Sequence, residues 1–142
     1  MDYARNAQEV AQDLVGMVLD VNGQYAEIVE TEAYEGGEQT ARRGCMRLAP
    51  GQIGVMPYRG LYFLNIGTEA AGTPSCVLVR AVQVEGELVD GPGKVGKRLD
   101  ARSLELQVLG KDIPVSGQTK PSDFVPAQAE RSGNSLGRYR LR

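Results

Sequence analysis

The chain has 142 residues, of which 42% are hydrophobic and 24% charged, and its formal net charge is −2. This length fits one domain with a hydrophobic core of its own. The sequence has no histidine and two widely separated cysteines, Cys45 and Cys76. This composition argues against a zinc or iron–sulfur site and excludes catalytic triads built on histidine. Acid–base chemistry near neutral pH must therefore use carboxylates, tyrosine or lysine.

Signals for a membrane or for export are absent from the sequence. No apolar run reaches the roughly 18 to 20 residues of a membrane span. Residues 1–5 lack the basic-then-apolar pattern of a signal peptide. We therefore expect a cytosolic protein that does not bind a membrane.

The charges are unevenly distributed along the chain. Residues 1–38 carry nine acids and one base, whereas the remainder carries nine acids and fifteen bases. The bases form three groups, which are Arg42, Arg43, Arg47 and Arg59; Lys94, Lys97, Arg98 and Arg102; and Arg131, Arg138, Arg140 and Arg142. Basic clusters of this kind are typical of a surface that faces a polyanion. The alternative is that they neutralise the acidic N-terminal part.

The first half of the chain predicts a helix followed by a hairpin. The helix spans Asn6–Val18, because Asn6 and Glu9 have the spacing of a capping box and apolar residues recur at helical intervals. Two strands follow, Met17–Asp20 and Tyr25–Tyr34. They are joined by an Asn-Gly turn, which is a strong hairpin signal.

The second half predicts more strands than helices. Residues 36–52 read as a loop, and strands are expected at Ile53–Met56, Leu61–Ile66 and Cys76–Val84. A helix opens at Gly91 and runs through Leu99. Leu104–Leu109 could form a further strand before a tail rich in proline and serine. This mixture predicts an α+β fold with a curved, largely antiparallel sheet and few helices.

The densest group of chemically active side chains lies near the end of the second strand. Strand alternation places Ile28, Glu30, Glu32 and Tyr34 on one side. Arg80 stands in an otherwise apolar strand, so its charge must find a partner. Glu32 and Arg80 could together hold and activate a water, or they could form a structural ion pair. Tyr34 could stack on a flat ligand, or it could pack in the core.

Two glycine-containing segments are candidates for contacts with phosphate. The first, Gly91–Lys97, offers lysines at the start of a helix, but it lacks the spacing of a P-loop and could be a plain turn. The second, Met56–Gly60, reads as a turn that offers Tyr58 and Arg59 to solvent. This turn could act as a wedge or contact a phosphate, although an exposed turn needs no function.

Several of these segments together resemble a known family. The matching residues are Ala4-Arg5-Asn6, Leu14-Val15-Gly16, the string from Ile28 to Gly36, Gln39-Thr40-Ala41-Arg42, Gly60-Leu61-Tyr62-Phe63, Asn65-Ile66, Val77-Leu78-Val79-Arg80-Ala81 and Gly91-Pro92-Gly93-Lys94-Val95. In this order they resemble the alkyladenine (3-methyladenine) DNA glycosylases of the mammalian type. The Glu-Thr-Glu-Ala-Tyr and Gly-Pro-Gly-Lys strings are the most specific, and the tail over residues 104–142 matches poorly.

The resemblance implies a fold, an activity and a partner. The fold would be one glycosylase-like domain over residues 1–142, with a barrel like that of formyltransferase C-terminal domains. Such enzymes flip a damaged purine out of the duplex and hydrolyse its N-glycosidic bond, without a metal or cofactor. The partner would be double-stranded DNA with alkylated or deaminated purines, bound by a monomer in the nucleoid of a prokaryote or the nucleus of a eukaryote.

The resemblance also implies roles for individual residues. Glu32 would be the general base and Arg80 would help to hold the water. The base pocket would consist of Tyr34, Met56 and Asn65. Contacts with DNA would come from Arg42, Arg43, Tyr58, Arg59, Lys94 and Lys97.

The sequence departs from the family pattern at the recognition residues. The family usually has a histidine in the loop after Glu-Ala-Tyr, and this chain has none. A second pocket tyrosine falls near Met56, and the intercalating tyrosine falls at Arg59 or, with a shift of one, at Tyr58. Two alternatives therefore stay open, a catalytically impaired DNA-binding module on the same scaffold and a domain that acts independently of nucleic acid.

Overall fold

The fold is an antiparallel β-sheet with short helices packed on it. The structure is a computed structural model, and it describes residues 2–35, 48–69, 75–105, 115–116, 124–127 and 135–141. The predicted DNA contacts Arg42 and Arg43 lie outside the described residues, as does Cys45. The barrel implied by the family resemblance stays a prediction.

Nine strands form one sheet in the described part of the chain. Their bounds are β1 Val18–Val21, β2 Gln24–Glu35, β3 Ile53–Tyr58, β4 Leu61–Gly67, β5 Ser75–Val84, β6 Glu87–Asp90, β7 Val115–Ser116, β8 Phe124–Ala127 and β9 Ser135–Leu141. The central order is β3-β4-β5-β2-β1-β7, with β6 beside β5, β9 beside β2 and β8 beside β9. Every pairing is antiparallel. The predicted α+β class with a largely antiparallel sheet is confirmed.

The first helix and hairpin follow from local sequence signals. Helix α1 spans Ala7–Leu14, and the side chain of Asn6 caps it by accepting a hydrogen bond from the backbone of Glu9 at 2.9 Å. The helix ends earlier than predicted because the next residue is extended and Gly16 has a positive φ of 87°. Asn22 and Gly23 both have positive φ, as the tight turn between β1 and β2 requires.

The second half departs from its prediction in three places. Strand β6 is not predicted, and it follows a turn in which Glu85 and Gly86 have φ angles of 51° and 79°. Leu104 lies in a short helix, α3 at Ala101–Glu105, and packs against the main core, so a strand starting there is wrong. The poorly matched tail contributes strands β7, β8 and β9 to the sheet.

Two irregularities in the pairing of β2 with β5 decide which side chains share a face. The register shifts at Val29 on β2 and again at Arg80 on β5. An extra residue in a strand reverses its inside–outside alternation beyond that point. Ile28 therefore packs in the main core, whereas Glu30 and Glu32 both contact Arg80 on the other side. The predicted grouping of Ile28 with these acids is wrong for this reason.

The sheet consequently has an apolar face and a chemically active face. Helix α1 packs on the apolar face, where the Thr31 hydroxyl donates to the backbone oxygen of Ala11 at 2.8 Å. The other face carries Glu30, Glu32 and Tyr34 of β2, Met56 of β3, Phe63 and Asn65 of β4, and Cys76 and Arg80 of β5. The predicted catalytic and base-pocket residues therefore share one face of one sheet.

Helix α2, Pro92–Arg98, packs closely on β4. At Gly96 the approach leaves no room for a side chain, because a Cβ atom there would overlap with the backbone oxygen of Tyr62. At Gly93, by contrast, a Cβ atom would meet only the flexible end of Leu61, at 2.9 Å. None of the helices in the described residues is long and apolar enough to cross a membrane.

We predict that Gly96→Ala destabilises the protein by about 2 kcal/mol or more, because the added methyl group must push α2 away from the backbone of β4. Gly93→Ala in the same helix is the matched control, and its stability should stay within about 1 kcal/mol of wild type. Urea unfolding of both variants measures the difference. Equal stabilities of the two variants would contradict the close contact at Gly96.

Candidate active site

The candidate site is centred on a buried carboxylate. Glu32 lies in β2 with 1% of its surface exposed. Burial of a charged group is costly unless partners compensate the charge. The fold must therefore place cations and hydrogen-bond donors next to Glu32.

Both carboxylate oxygens of Glu32 are engaged by donors. Oε1 accepts hydrogen bonds from the Tyr34 hydroxyl at 2.7 Å and from Nη1 of Arg80 at 2.9 Å. Oε2 accepts a hydrogen bond from the Ser135 hydroxyl at 2.7 Å and lies 3.3 Å from Nε of Arg138. The predicted pair of Glu32 and Arg80 therefore forms, and Tyr34 belongs to the same group.

The pair is part of a longer series of alternating charges. Nε of Arg80 lies 3.4 Å from Oε2 of Glu30. Arg140 contacts Oε1 of Glu30 at 3.0 Å and Oδ2 of Asp90 at 3.1 Å. We call this series the ion ladder, and its members are Asp90, Arg140, Glu30, Arg80, Glu32 and Arg138.

The ion ladder is balanced, since it holds three acids and three bases. At the exposed end of the ion ladder, the contacts of Arg140 change the pKa of its guanidinium. The hydrogen bonds of Arg140 to Asp90, and next to Glu30, raise the pKa of this guanidinium above its ordinary value. Arg140 therefore keeps its positive charge, because an arginine side chain does not lose its proton in proteins.

An apolar cluster lies beside Glu32 on the same face. Met56 and Cys76 are buried in it with Leu48, and the rings of Tyr34 and Phe63 pack against it. Tyr34 lies directly opposite Cys76 in the pairing of β2 with β5. The predicted pocket residues Tyr34 and Met56 are thus brought together.

Asn65 is joined to this cluster through Cys76. Its Oδ1 accepts a hydrogen bond from the Cys76 thiol at 3.4 Å, and its Nδ2 donates to the backbone oxygen of Phe63 at 3.3 Å. Asn65 is 3% exposed. These contacts fix the orientation of the amide at the edge of the apolar cluster.

The turn between β3 and β4 projects two apolar side chains into solvent. Arg59 and Gly60 have φ angles of 50° and 80°, and the flanking residues Tyr58 and Leu61 are 46% and 43% exposed. The guanidinium of Arg59 lies 5.3 Å from the centroid of the Tyr58 ring. The predicted exposure of Tyr58 and Arg59 is confirmed, and Met56 lies in β3 instead of in the turn.

Helix α2 packs against β4 and β5, beside this turn. A cavity of about 360 Å³ lies beside the contact between the turn and the helix, and Leu61 and Lys97 are among the residues that line it. Lys94 and Lys97 are both exposed. The backbone N–H of Gly91, just before the helix, donates to the backbone oxygen of Arg80 at 2.8 Å. The predicted DNA contacts of two distant segments thus lie on neighbouring elements.

Sequence reasoning missed the contributions of β9 and of Phe63. For the basic cluster of Arg138 and Arg140 the sequence left two interpretations, and both residues pair with acids of the N-terminal part, Glu32 and Glu30, as the second interpretation expects. The spacing of the two arginines, two residues in a strand, is a signal that they share a face. No comparable signal in the sequence points to Ser135. Phe63 stands opposite Met56 in the pairing of β3 with β4.

Comparison with known proteins identifies the family of this chain. The model of the family described as methylpurine-DNA glycosylase (MPG) matches residues 1–133. The chain belongs to this family. The match includes every predicted site residue and stops before β9.

Similar bacterial proteins bear the assigned name 3-methyladenine DNA glycosylase. One from Myxococcus xanthus is 39% identical over 95% of this chain and 78% of its own length. One from Anaeromyxobacter is 38% identical over 88% of this chain and 75% of its own length. One from Rhodopseudomonas palustris is 36% identical, and the chain spans only 60% of its length.

We predict that the ion ladder contributes most to stability at its buried end. Arg80→Met should cost about 3 kcal/mol, because it leaves two buried carboxylates without their shared cation. Arg140→Met should cost about 1 kcal/mol, because Asp90 at that end is 54% exposed and water screens its charge. Urea unfolding at neutral pH measures both changes, and a larger loss for Arg140→Met would contradict the assignment.

Proposed function

We propose that this protein is a monofunctional DNA glycosylase that flips an alkylated or deaminated purine out of the duplex and hydrolyses its N-glycosidic bond. The observation that carries the proposal is the position of Glu32. Its buried carboxylate is hydrogen-bonded to Arg80 and stands beside an apolar cluster against which the rings of Tyr34 and Phe63 pack. Family membership supports the same reaction class.

The reaction needs a base for water and little else. Glu32 takes a proton from water as the water oxygen forms a bond to C1′ of the sugar. The C1′–N bond breaks, and its electron pair leaves with the damaged base. Alkylation makes the purine a better leaving group, and Arg80 holds the water against the carboxylate. At Oε1 of Glu32, the water takes the place of the Tyr34 hydroxyl. This hydroxyl is the donor to be replaced because only one rotatable O–H group makes its contact with Oε1.

The apolar cluster is the proposed pocket for the flipped base. The ring of Tyr34 stacks on the purine, Met56 forms part of the opposite wall, and Asn65 reads the polar edge of the base. Base–aromatic stacking contributes about 1–3 kcal/mol. Phe63, whose ring packs on the same cluster, is the candidate for a second aromatic surface where this chain has a methionine.

The proposed DNA surface combines the exposed turn with helix α2. Tyr58 fills the space left in the duplex by the extruded nucleotide, and Arg59 contacts a neighbouring phosphate. Lys94 and Lys97 contact the backbone further along the duplex. Because the named relatives are bacterial, we expect this DNA to be that of the nucleoid.

DNA binding without base release is the second candidate function. It is favoured by the engagement of Glu32, since three hydrogen bonds and a further ion pair occupy both of its oxygens. A carboxylate held only for structure would show the same contacts. Excision of a damaged base from a duplex separates the two candidates.

We predict that the wild-type protein releases the base from a duplex that carries hypoxanthine or ethenoadenine. Glu32→Gln should lower the single-turnover rate by at least about 100-fold, because an amide cannot accept the proton from water. Glu27→Gln, on the same strand but outside the site, is the matched control. Release of the base by Glu32→Gln at the wild-type rate would remove Glu32 from its proposed role.

We predict that Lys94 and Lys97 contribute to salt-dependent DNA binding. The double variant Lys94→Gln/Lys97→Gln should lower the slope of log K against log salt by about 2, because each lost phosphate contact lowers it by roughly 0.9. Binding titrations at several salt concentrations measure the slope. Arg5→Gln, which removes a positive charge beside the first helix, is the control and should leave the slope unchanged. An unchanged slope in the lysine variant would mean that DNA does not contact helix α2 at these lysines.

A further inference from the structure

The charges around Glu32 cannot be balanced by the residues that the family resemblance identifies. Glu30 and Glu32 are both buried, at 7% and 1% exposure. Arg80 contacts both of them, through Nε and Nη1. One guanidinium shared by two buried carboxylates leaves one negative charge without compensation, and such a charge is costly in a protein interior. A further cation must therefore come from another part of the chain.

Strand β9 supplies that cation in a defined register. Its pairing with β2 places Arg138 directly opposite Glu32 and Arg140 directly opposite Glu30. Each arginine contacts the acid that it faces, at 3.3 Å for Arg138 and 3.0 Å for Arg140. Ser135, at the start of the same strand, adds a hydrogen bond to Glu32 at 2.7 Å.

The two oxygens of Glu32 consequently have different surroundings. Oε2 is held by Ser135 and Arg138, both from β9. Oε1 is contacted by Arg80 and by Tyr34, which also packs on the apolar cluster. Only Oε1 thus has a donor that belongs to the proposed base pocket.

We infer that Ser135 and Arg138 are positioning residues, which fix Oε2 of Glu32 so that Oε1 faces the water and takes its proton. The inference rests on the proposed function and adds a division of labour between the two oxygens. The matched family region ends at residue 133, so neither residue is assigned by the family comparison. On this account the C-terminal strand is part of the active site.

A positioning role makes different predictions from a purely structural one. If β9 only stabilised the fold, its variants would melt earlier but would react at the normal rate when folded. A misplaced carboxylate instead lowers the rate of the folded enzyme, by about 100-fold for a displacement of roughly 1 Å.

The test is single-turnover excision of hypoxanthine from a duplex at neutral pH, on protein shown to be folded by circular dichroism. Arg138→Gln should lower the rate by about 100-fold. Ser135→Ala should lower the rate by roughly tenfold, the effect of one hydrogen bond to a charged group. Lesion binding should persist in both.

Two further variants keep the test decisive. Arg138→Lys retains the charge beside Oε2 of Glu32, so it should recover part of the rate, even if Arg138→Gln folds poorly. Arg5→Gln is the matched control, since Arg5 also pairs with an acid, Asp13, at 2.7 Å. It should react at the wild-type rate.

The outcomes separate this inference from the proposed function. If Glu32→Gln is inactive but folded Arg138→Gln and Ser135→Ala react at the wild-type rate, the positioning role is overturned and the glycosylase proposal stands. If Glu32→Gln remains active, the catalytic role of Glu32 fails, and the positioning role fails with it. Absence of excision by the wild-type protein on every lesion overturns both.

Discussion

Burial of the Glu32 carboxylate is the constraint on which the rest of this arrangement depends. A charge that is 1% exposed is tolerated only with cations and hydrogen bonds on every side. These partners come from β2, β5 and β9, which are far apart in the sequence and adjacent in the sheet. The ion ladder therefore depends on the order of the strands. Strand β2 carries the two buried acids, and its neighbours β5 and β9 carry the arginines that pair with them.

The two register shifts between β2 and β5 place these charges on the same face of the sheet. Without the shift at Arg80, the alternation of Val82 and Val84 would direct its guanidinium toward the apolar face, and without the shift at Val29 the two acids would share the face of Ile28. The shifts instead put acids, arginine and pocket residues on one side and keep Ile28 and the core valines on the other. Bulges of this kind are frequent beside active sites, because they re-aim a side chain without altering the fold.

Local signals in the sequence were sufficient for much of the fold and for the centre of the site. The Asn22-Gly23 turn and the Asn6 cap are set by residues adjacent in sequence, and both are found as predicted. A charge in an apolar strand predicts a buried partner, which Arg80 finds. The register shifts and the pairing of Arg138 with Glu32 depend on contacts between distant segments. No local pattern encodes these register shifts or this pairing. Strand β6, by contrast, pairs with the adjacent β5 through the Glu85-Gly86 turn, a local signal that the prediction did not use. For the basic cluster near the C-terminus, charge alone left two interpretations open, and Arg138 and Arg140 pair with acids of the N-terminal part, as the second one expects.

The most direct test of the account is a crystal structure of the Glu32→Gln variant bound to a duplex that contains hypoxanthine. The account predicts that the damaged nucleotide lies outside the helix with its base against Tyr34. A water should lie between the sugar C1′ atom and the position of Oε1, while Ser135 and Arg138 still hold the opposite side of the substituted amide. A base that remains stacked in the duplex, or one bound away from Tyr34, would contradict the central role given to this buried carboxylate.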